Sequence, residues 1–214
     1  MNPICLLLLI PMLCAALHAK TGRYPFSAAV TLTCLVSVFP WADPRILAAY
    51  ALSVIGDWFM AHSGGKNGDR MLLGGIAGFF LAHACFLLFS VDRADFSSGQ
   101  LLWLIPSGAA AVGYALFLVR ALYPAVPDRT LKIAATAYTG ISLAVLTFSL
   151  LSSSAPIPKA LFCFGIAMIL LSDTLIALSR FLKKKGLGRW ICPTYFACHI
   201  LIAASVMAEA GFFG

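Results

Sequence analysis

Residues 45–62 read RILAAYALSVIGDWFMAH and residues 159–181 read KALFCFGIAMILLSDTLIALSRF. Each stretch is long and apolar enough to cross hydrocarbon as a helix, which takes about 17 to 25 residues. Each also carries one acid deep in its run, Asp57 in the first and Asp173 in the second. A charge near the centre of a bilayer costs at least about 2.5 kcal/mol, so acids placed there face a polar cavity and mark a working site. The two surroundings match: a small residue, Asp, three residues, Ala, one residue, Ser, once from Gly56 to Ser63 and again from Ser172 to Ser179.

Further apolar stretches lie at 2–18, 25–40, 71–90, 99–119, 131–151 and 190–210, with the limits of the second least defined. Together they predict an all-α, polytopic membrane helix bundle of about eight transmembrane helices, forming one integral membrane domain over 1–214. Composition agrees. Only 11% of the 214 residues are charged, 61% are hydrophobic and the mean hydropathy is +0.95, whereas a water-soluble domain carries about a quarter charged residues. The alternating ten-residue segments of a β-barrel are missing. No basic residue precedes the leucine run at the N-terminus, so that run reads as the first spanning helix rather than a cleaved leader.

The formal charge of +7 points to membrane topology and not to nucleic acid. Arg45, Arg93 and Lys159 fall on one side of the predicted helices. All the other basic residues, including Lys20, Arg23, Arg120, Arg129 and the run Lys183 to Lys185, fall on the opposite side. The positive-inside rule then places both termini outside, with the loops after the first, third, fifth and seventh helices in the cytoplasm of a bacterial inner-membrane protein. The seven cysteines are scattered singly and read as small buried hydrophobes.

A histidine stands at the same distance beyond each acid, His83 after Asp57 and His199 after Asp173. The echo predicts two parallel four-helix repeats related by an axis along the membrane normal. Tyr195 and His199 are spaced i, i+4 and share a helix face. Ser53 and Ser172 are candidates for substrate contact, although a serine hydroxyl can also be met by the carbonyl one turn back. Lys66, Arg70 and Arg180 are candidates for holding a phosphate at the cytoplasmic rim, where the positive-inside bias by itself already places basic residues. Gly74, Gly75 and Gly78 make a small-residue face suited to close helix packing, and Trp41, Trp103 and Trp190 suit an interfacial belt.

Gly56-Asp57, the segment from Gly75 to His83, the run Leu171 to Ala177 followed by Arg180-Phe181, and the pair Thr194-Tyr195 together resemble the YhhN family of membrane proteins, which includes the lysoplasmalogenases. The likeness covers most of the chain. Two positions depart from the family pattern: Phe86 stands where an aromatic hydroxyl is usual, and no Gln lies near His199. The resemblance implies an eight-helix bundle that hydrolyses the vinyl ether of a lysophospholipid, releasing a fatty aldehyde and a glycerophospho-alcohol.

Vinyl ether hydrolysis needs an acid to protonate the β-carbon and a base or negative charge for the oxocarbenium ion that follows. Two close carboxyls divide these tasks, as they do in glycoside hydrolysis. Asp57 and Asp173 are the expected pair, with Tyr195, His83 and His199 orienting them or the water, and no metal or cofactor is called for. Two other readings use the same residues. Asp57, His83, Asp173 and His199 have the donor chemistry of a zinc site in a lipid ester or amide hydrolase, and paired intramembrane acids also serve proton-coupled transporters.

Overall fold

The computed structural model describes residues 3–22, 24–65, 67–126 and 128–213. The chain folds into eight main helices: α1 (Leu9–Thr21, entered through a 3-10 turn over Pro3–Leu8), α2 (Tyr24–Val38), α3 (Pro44–Ala61), α4 (Gly68–Asp92), α5 (Leu104–Phe117), α6 (Arg129–Leu150), α7 (Pro156–Arg180) and α8 (Gly188–Glu209). A π turn over Leu118–Leu122 and a 3-10 turn over Tyr123–Ala125 extend α5. Among the described residues there is no strand, and α4, α5 with its extension, α6, α7 and α8 are each long and apolar enough to cross a membrane. Local chemistry sets the ends. Asp43 caps α3 ahead of Pro44, Asp128 caps α6 by accepting from the Leu131 amide, Pro156 opens α7, and Gly22 at φ 64° closes α1 in the left-handed conformation that glycine adopts freely.

Six helices make a closed ring in which α2 packs on α3, α3 on α4, α4 on α6, α6 on α7, α7 on α8 and α8 back on α2. Outside the ring, α1 lies against α2 and α8, and α5 lies against α6. Adding four to each helix number maps the α2–α3, α3–α4 and α4–α6 pairs onto α6–α7, α7–α8 and α8–α2, and the α1–α2 pair onto α5–α6. The neighbour relations therefore have the pattern of two four-helix halves.

The closest crossings use missing side chains. A Cβ on Gly78 would meet the Gly56 Cα at 3.1 Å and N at 3.2 Å, so α3 and α4 touch backbone to backbone. A Cβ on Gly165 would meet the Ile202 side chain at 2.7 Å and the Cys198 carbonyl at 3.2 Å, so α7 and α8 also pack closely. Lipid is as apolar as leucine, so helix association relies on such close packing more than on burial of apolar surface.

The two ends of the bundle differ. At one end Arg45 bonds Asp43 at 2.8 Å and Asp92 at 2.9 Å, Arg93 pairs with Glu209 at 3.2 Å, and the loops after α4 and α6 are tied by the Asp95 amide to the Leu151 carbonyl and the Ser153 amide to the Arg93 carbonyl. At the other end, among the described residues, the one inter-helix ion pair is Arg180 to Asp69 at 3.3 Å. The first end is clamped. The second is looser and holds the cavity that both acids line.

Two outcomes test this packing. Gly78→Ala should lower the thermal midpoint of the purified protein in detergent by several degrees, because backbone has to yield, while Gly113→Ala on α5, with nothing within 4 Å of the new methyl, leaves it unchanged. The Arg45 guanidinium holds the Asp43 carboxyl below its ordinary value of 3.8. That clamp therefore contributes at neutral pH and fades as pH falls below 3.8. Asp43→Asn should cost about 1–3 °C at pH 7, and the gap to the wild type should close in acid.

Candidate functional site

Asp57 comes from the last turns of α3 and Asp173 from α7, and both line a single cavity of about 440 Å³. His18, Gly22, Ser63, Arg180 and Ile191 also line it, so it opens where α1, α3 and α7 end and α8 begins. Each carboxyl is met by one hydroxyl from a neighbouring helix. Thr31 of α2 donates to Asp57 at 2.9 Å, and Tyr138 of α6 donates to Asp173 at 2.5 Å. No Lys or Arg among the described residues pairs with either acid. A structural acid in lipid would use such a partner to offset its burial.

A phenol and an imidazole stand behind each carboxyl. The Tyr195 hydroxyl lies beside Asp57 and Thr31 without a hydrogen bond of good geometry, and its ring meets His199 edge-on with centroids 4.6 Å apart. Tyr138, bonded to Asp173, meets the ring of His83 edge-on at 5.0 Å. Each acid thus reaches, through a tyrosine, the histidine of the other half of the chain. Both imidazoles are fully buried and line neither this cavity nor the chamber next to it. His83 Nδ1 bonds the Phe79 carbonyl at 2.9 Å. His83 Nε2 and both nitrogens of His199 have no partner among the described residues.

The remaining sequence candidates separate. Ser172 lines the cavity, and its hydroxyl donates to the Ile191 carbonyl of α8 at 3.2 Å rather than to the turn before it, so it ties α7 to α8. Ser53 is fully buried, its hydroxyl has no partner among the described residues, and it lines no cavity described here. Arg180 lines the cavity and is the candidate cation that reaches it. Arg70 is exposed and away from it, and Lys66 lies outside the described residues. Thr31 and Tyr138 escaped the sequence reading. Depth was the available signal: Asp57, Tyr138, Asp173 and Tyr195 all sit between four and nine positions from the helix end on the cavity side, about 6 to 14 Å in at 1.5 Å per residue. A hydroxyl at that depth in an apolar helix was a candidate partner for a carboxyl.

Asp173 also borders a second, apolar chamber of about 100 Å³ between α4, α5, α6 and α7. The two spaces share Met60, Phe79, Asp173, Ile176 and Arg180 as a common wall. A zinc reading would need the two acids and two histidines to converge. Here the histidines stand behind tyrosines, and no three His, Cys, Asp or Glu among the described residues gather as a metal site. The backbone of α3 and of α7 runs unbroken through its acid, unlike the unwound helices that hold ions in many transporters.

An all-helical membrane bundle with two acids on one internal cavity defines the class: a polytopic integral membrane protein with an intramembrane polar site. The chain belongs to the YhhN family, whose model matches residues 3–206 of the 214. No curated protein and no solved structure matches it.

Tyr138→Phe should leave the Asp173 carboxyl without its donor. Thermal unfolding in detergent should then show a loss of about 1–3 kcal/mol, with helix content by circular dichroism unchanged.

Proposed function

We propose that this protein is an intramembrane ether hydrolase that cleaves the vinyl ether of a lysoplasmalogen to a fatty aldehyde and a glycerophospho-alcohol, with Asp57 and Asp173 as its acid and base. The observation that carries the reading is that both acids line one cavity at the loose end of the bundle, in a chain of the YhhN family. A membrane lipid with one hydrocarbon chain reaches such a cavity from the bilayer without leaving it. Arg180, on the cavity wall, suits a phosphate. With the basic face of the bundle in the cytoplasm, the lipid arrives from the inner leaflet with its ether a few ångströms below the headgroup, at the depth of the acids.

The chemistry balances on two carboxyls. Protonated Asp173 transfers its proton to the β-carbon, and the ether oxygen stabilises the resulting cation as an oxocarbenium ion. Water attacks the α-carbon while Asp57 takes a proton from it, which leaves a hemiacetal, ionised Asp173 and protonated Asp57. Asp173 then removes the hemiacetal hydroxyl proton as Asp57 protonates the departing glycerol oxygen, and both acids return to their starting states. Position supports this division of roles. The β-carbon is the second carbon of the hydrocarbon chain, one bond further from the headgroup than the α-carbon that water attacks, and Asp173 borders the apolar chamber, whereas Asp57 borders only the polar cavity. The Thr31 and Tyr138 hydroxyls orient the two carboxyls. His83 and His199 act through the tyrosines they pack against, as positioning residues.

Purified protein should release aldehyde from 1-alkenyl lysophospholipids, and Asp57→Asn and Asp173→Asn should each lower kcat by about 10²-fold or more. Azide needs no base, so in Asp57→Asn it should trap the oxocarbenium ion as an α-azido ether, whereas in Asp173→Asn, which does not form that ion, no such adduct should appear. Release of fatty acid in place of aldehyde, or full activity in both variants, would overturn the assignment.

A further inference from the structure

One end of α5 is held to the bundle and the other is not. Near the loose end of the bundle the Tyr114 hydroxyl bonds Thr174 Oγ1 of α7 at 2.7 Å, and the π turn that follows packs Leu118 and Leu122, 8% and 3% exposed, into an apolar cluster with Leu72, Val126 and Leu131. No residue from Leu104 to Phe117 is buried, and Ile105, near the clamped end, is 73% exposed. Helices in lipid stay together through close packing, so a helix fixed at one end leaves a gap at the other.

That gap is a groove of about 540 Å³ bounded by Trp103 at the start of α5, Leu146 and Leu150 at the end of α6, and Lys159, Cys163 and Ala167 on α7. Lys159 lies three positions from the Pro156 start of α7 and Ala167 eleven, so the groove runs from the clamped end to about 16 Å in. This is half of a hydrocarbon core about 30 Å thick, the depth of one leaflet.

The deep part of the groove is apolar, and its head is polar. Lys159 and Ser154 line both the groove and a small pocket of about 20 Å³ that also contains Arg93 and Glu209. Ser154 Oγ accepts from the Ser152 hydroxyl at 2.9 Å, which leaves its own proton to donate. An ammonium and a hydroxyl donor suit a phosphate, and Trp103 at the same end suits the membrane interface. A phosphate with a hydrocarbon chain below it, at the depth of one leaflet, is a phospholipid.

We propose that the groove between α5, α6 and α7 binds a diacyl phospholipid from the leaflet at the clamped end, with its phosphodiester on Lys159 and Ser154 and one acyl chain along Leu146, Leu150, Cys163 and Ala167. The lipid supplies the packing that joins the unanchored end of α5 to the ring. It sits at the opposite end of the bundle from the cavity of the two acids, and it binds whether or not the protein hydrolyses an ether.

The test uses the full-length protein, delipidated in detergent and titrated with phosphatidylglycerol. Native mass spectrometry should show one phospholipid retained under activation that strips the rest. Lys159→Ala, which removes the cation, and Ala160→Trp, which fills the groove, should each weaken its binding about tenfold, while Ile133→Trp on an exposed face of α6 changes nothing. Ala160 is exposed on the groove wall, so the larger side chain displaces lipid and not core, and this variant decides the matter if Lys159→Ala does not fold. Saturating phosphatidylglycerol should raise the thermal midpoint of the wild type by several degrees and that of Ala160→Trp by much less. The same shift with inorganic phosphate alone would mean an anion site without a chain and would overturn the proposal.

In nanodiscs, phosphatidylglycerol with a diazirine midway along one chain locates the lipid. Label on the α6 and α7 peptides that carry Leu146, Leu150 and Cys163, lost in Ala160→Trp, supports the site. Label spread evenly over the outer helix faces and unchanged by both substitutions means annular lipid only, and the proposal fails.

Discussion

A carboxyl inside a bilayer has to find its donors within the protein, and in this bundle each acid finds one on a helix other than its own. Asp57 on α3 takes the Thr31 hydroxyl of α2, and Asp173 on α7 takes the Tyr138 hydroxyl of α6. These bonds hold because α2–α3 and α6–α7 are neighbours in a closed ring. Leaving a buried polar group without a partner costs about 1–3 kcal/mol, so the pairs fix the side-chain directions as well as offsetting burial. Glycine makes the geometry reachable. Gly56 precedes Asp57 and meets the backbone of α4 at Gly78, and a larger residue at either place would push α4 outward together with Phe79 and His83.

The same ring explains why the two halves depend on each other. Asp57 reaches His199 through Tyr195, and Asp173 reaches His83 through Tyr138. Neither half contains a complete acid, phenol and imidazole set with this connectivity, so the polar centre exists only once both halves have closed. The clamp of Arg45, Asp43 and Asp92 with the Arg93–Glu209 pair holds the far end shut. Opening is left to the end where Arg180 stands and the cavity meets the helix termini. Rigidity at one end and access at the other suit the proposed lipid hydrolase.

Much of this was legible from the residues in order. The lengths and apolarity of the segments determined the eight helices to within a few positions, because a bilayer leaves the backbone few ways to satisfy itself. The burial of Asp57 and Asp173 in apolar runs marked the site for the same reason, and the shared spacing of each acid and its histidine foretold the two-half arrangement. The starts of α3, α6 and α7, set by Asp43, Asp128 and Pro156, fall one to three positions ahead of the limits read from apolarity.

What only the folded bundle decided is which side chains face one another across helices. Lipid provides no strong bias for choosing neighbours, so their identity comes from packing at glycine crossings and not from any periodicity that one helix displays. Thr31 and Tyr138 look like ordinary residues of apolar helices until α2 and α6 are set beside the acids. His83 and His199 look like cavity ligands until the tyrosines come between them and the open space. Leu118 and Leu122 continue an unremarkable apolar run, and only the π turn and the position of α5 at the rim turn them into the wall of a chamber. Sequence set the depth of every polar group, since depth counts along one helix at a fixed rise per residue. Tertiary structure set their company, since lateral contact is a relation between helices that no single stretch encodes.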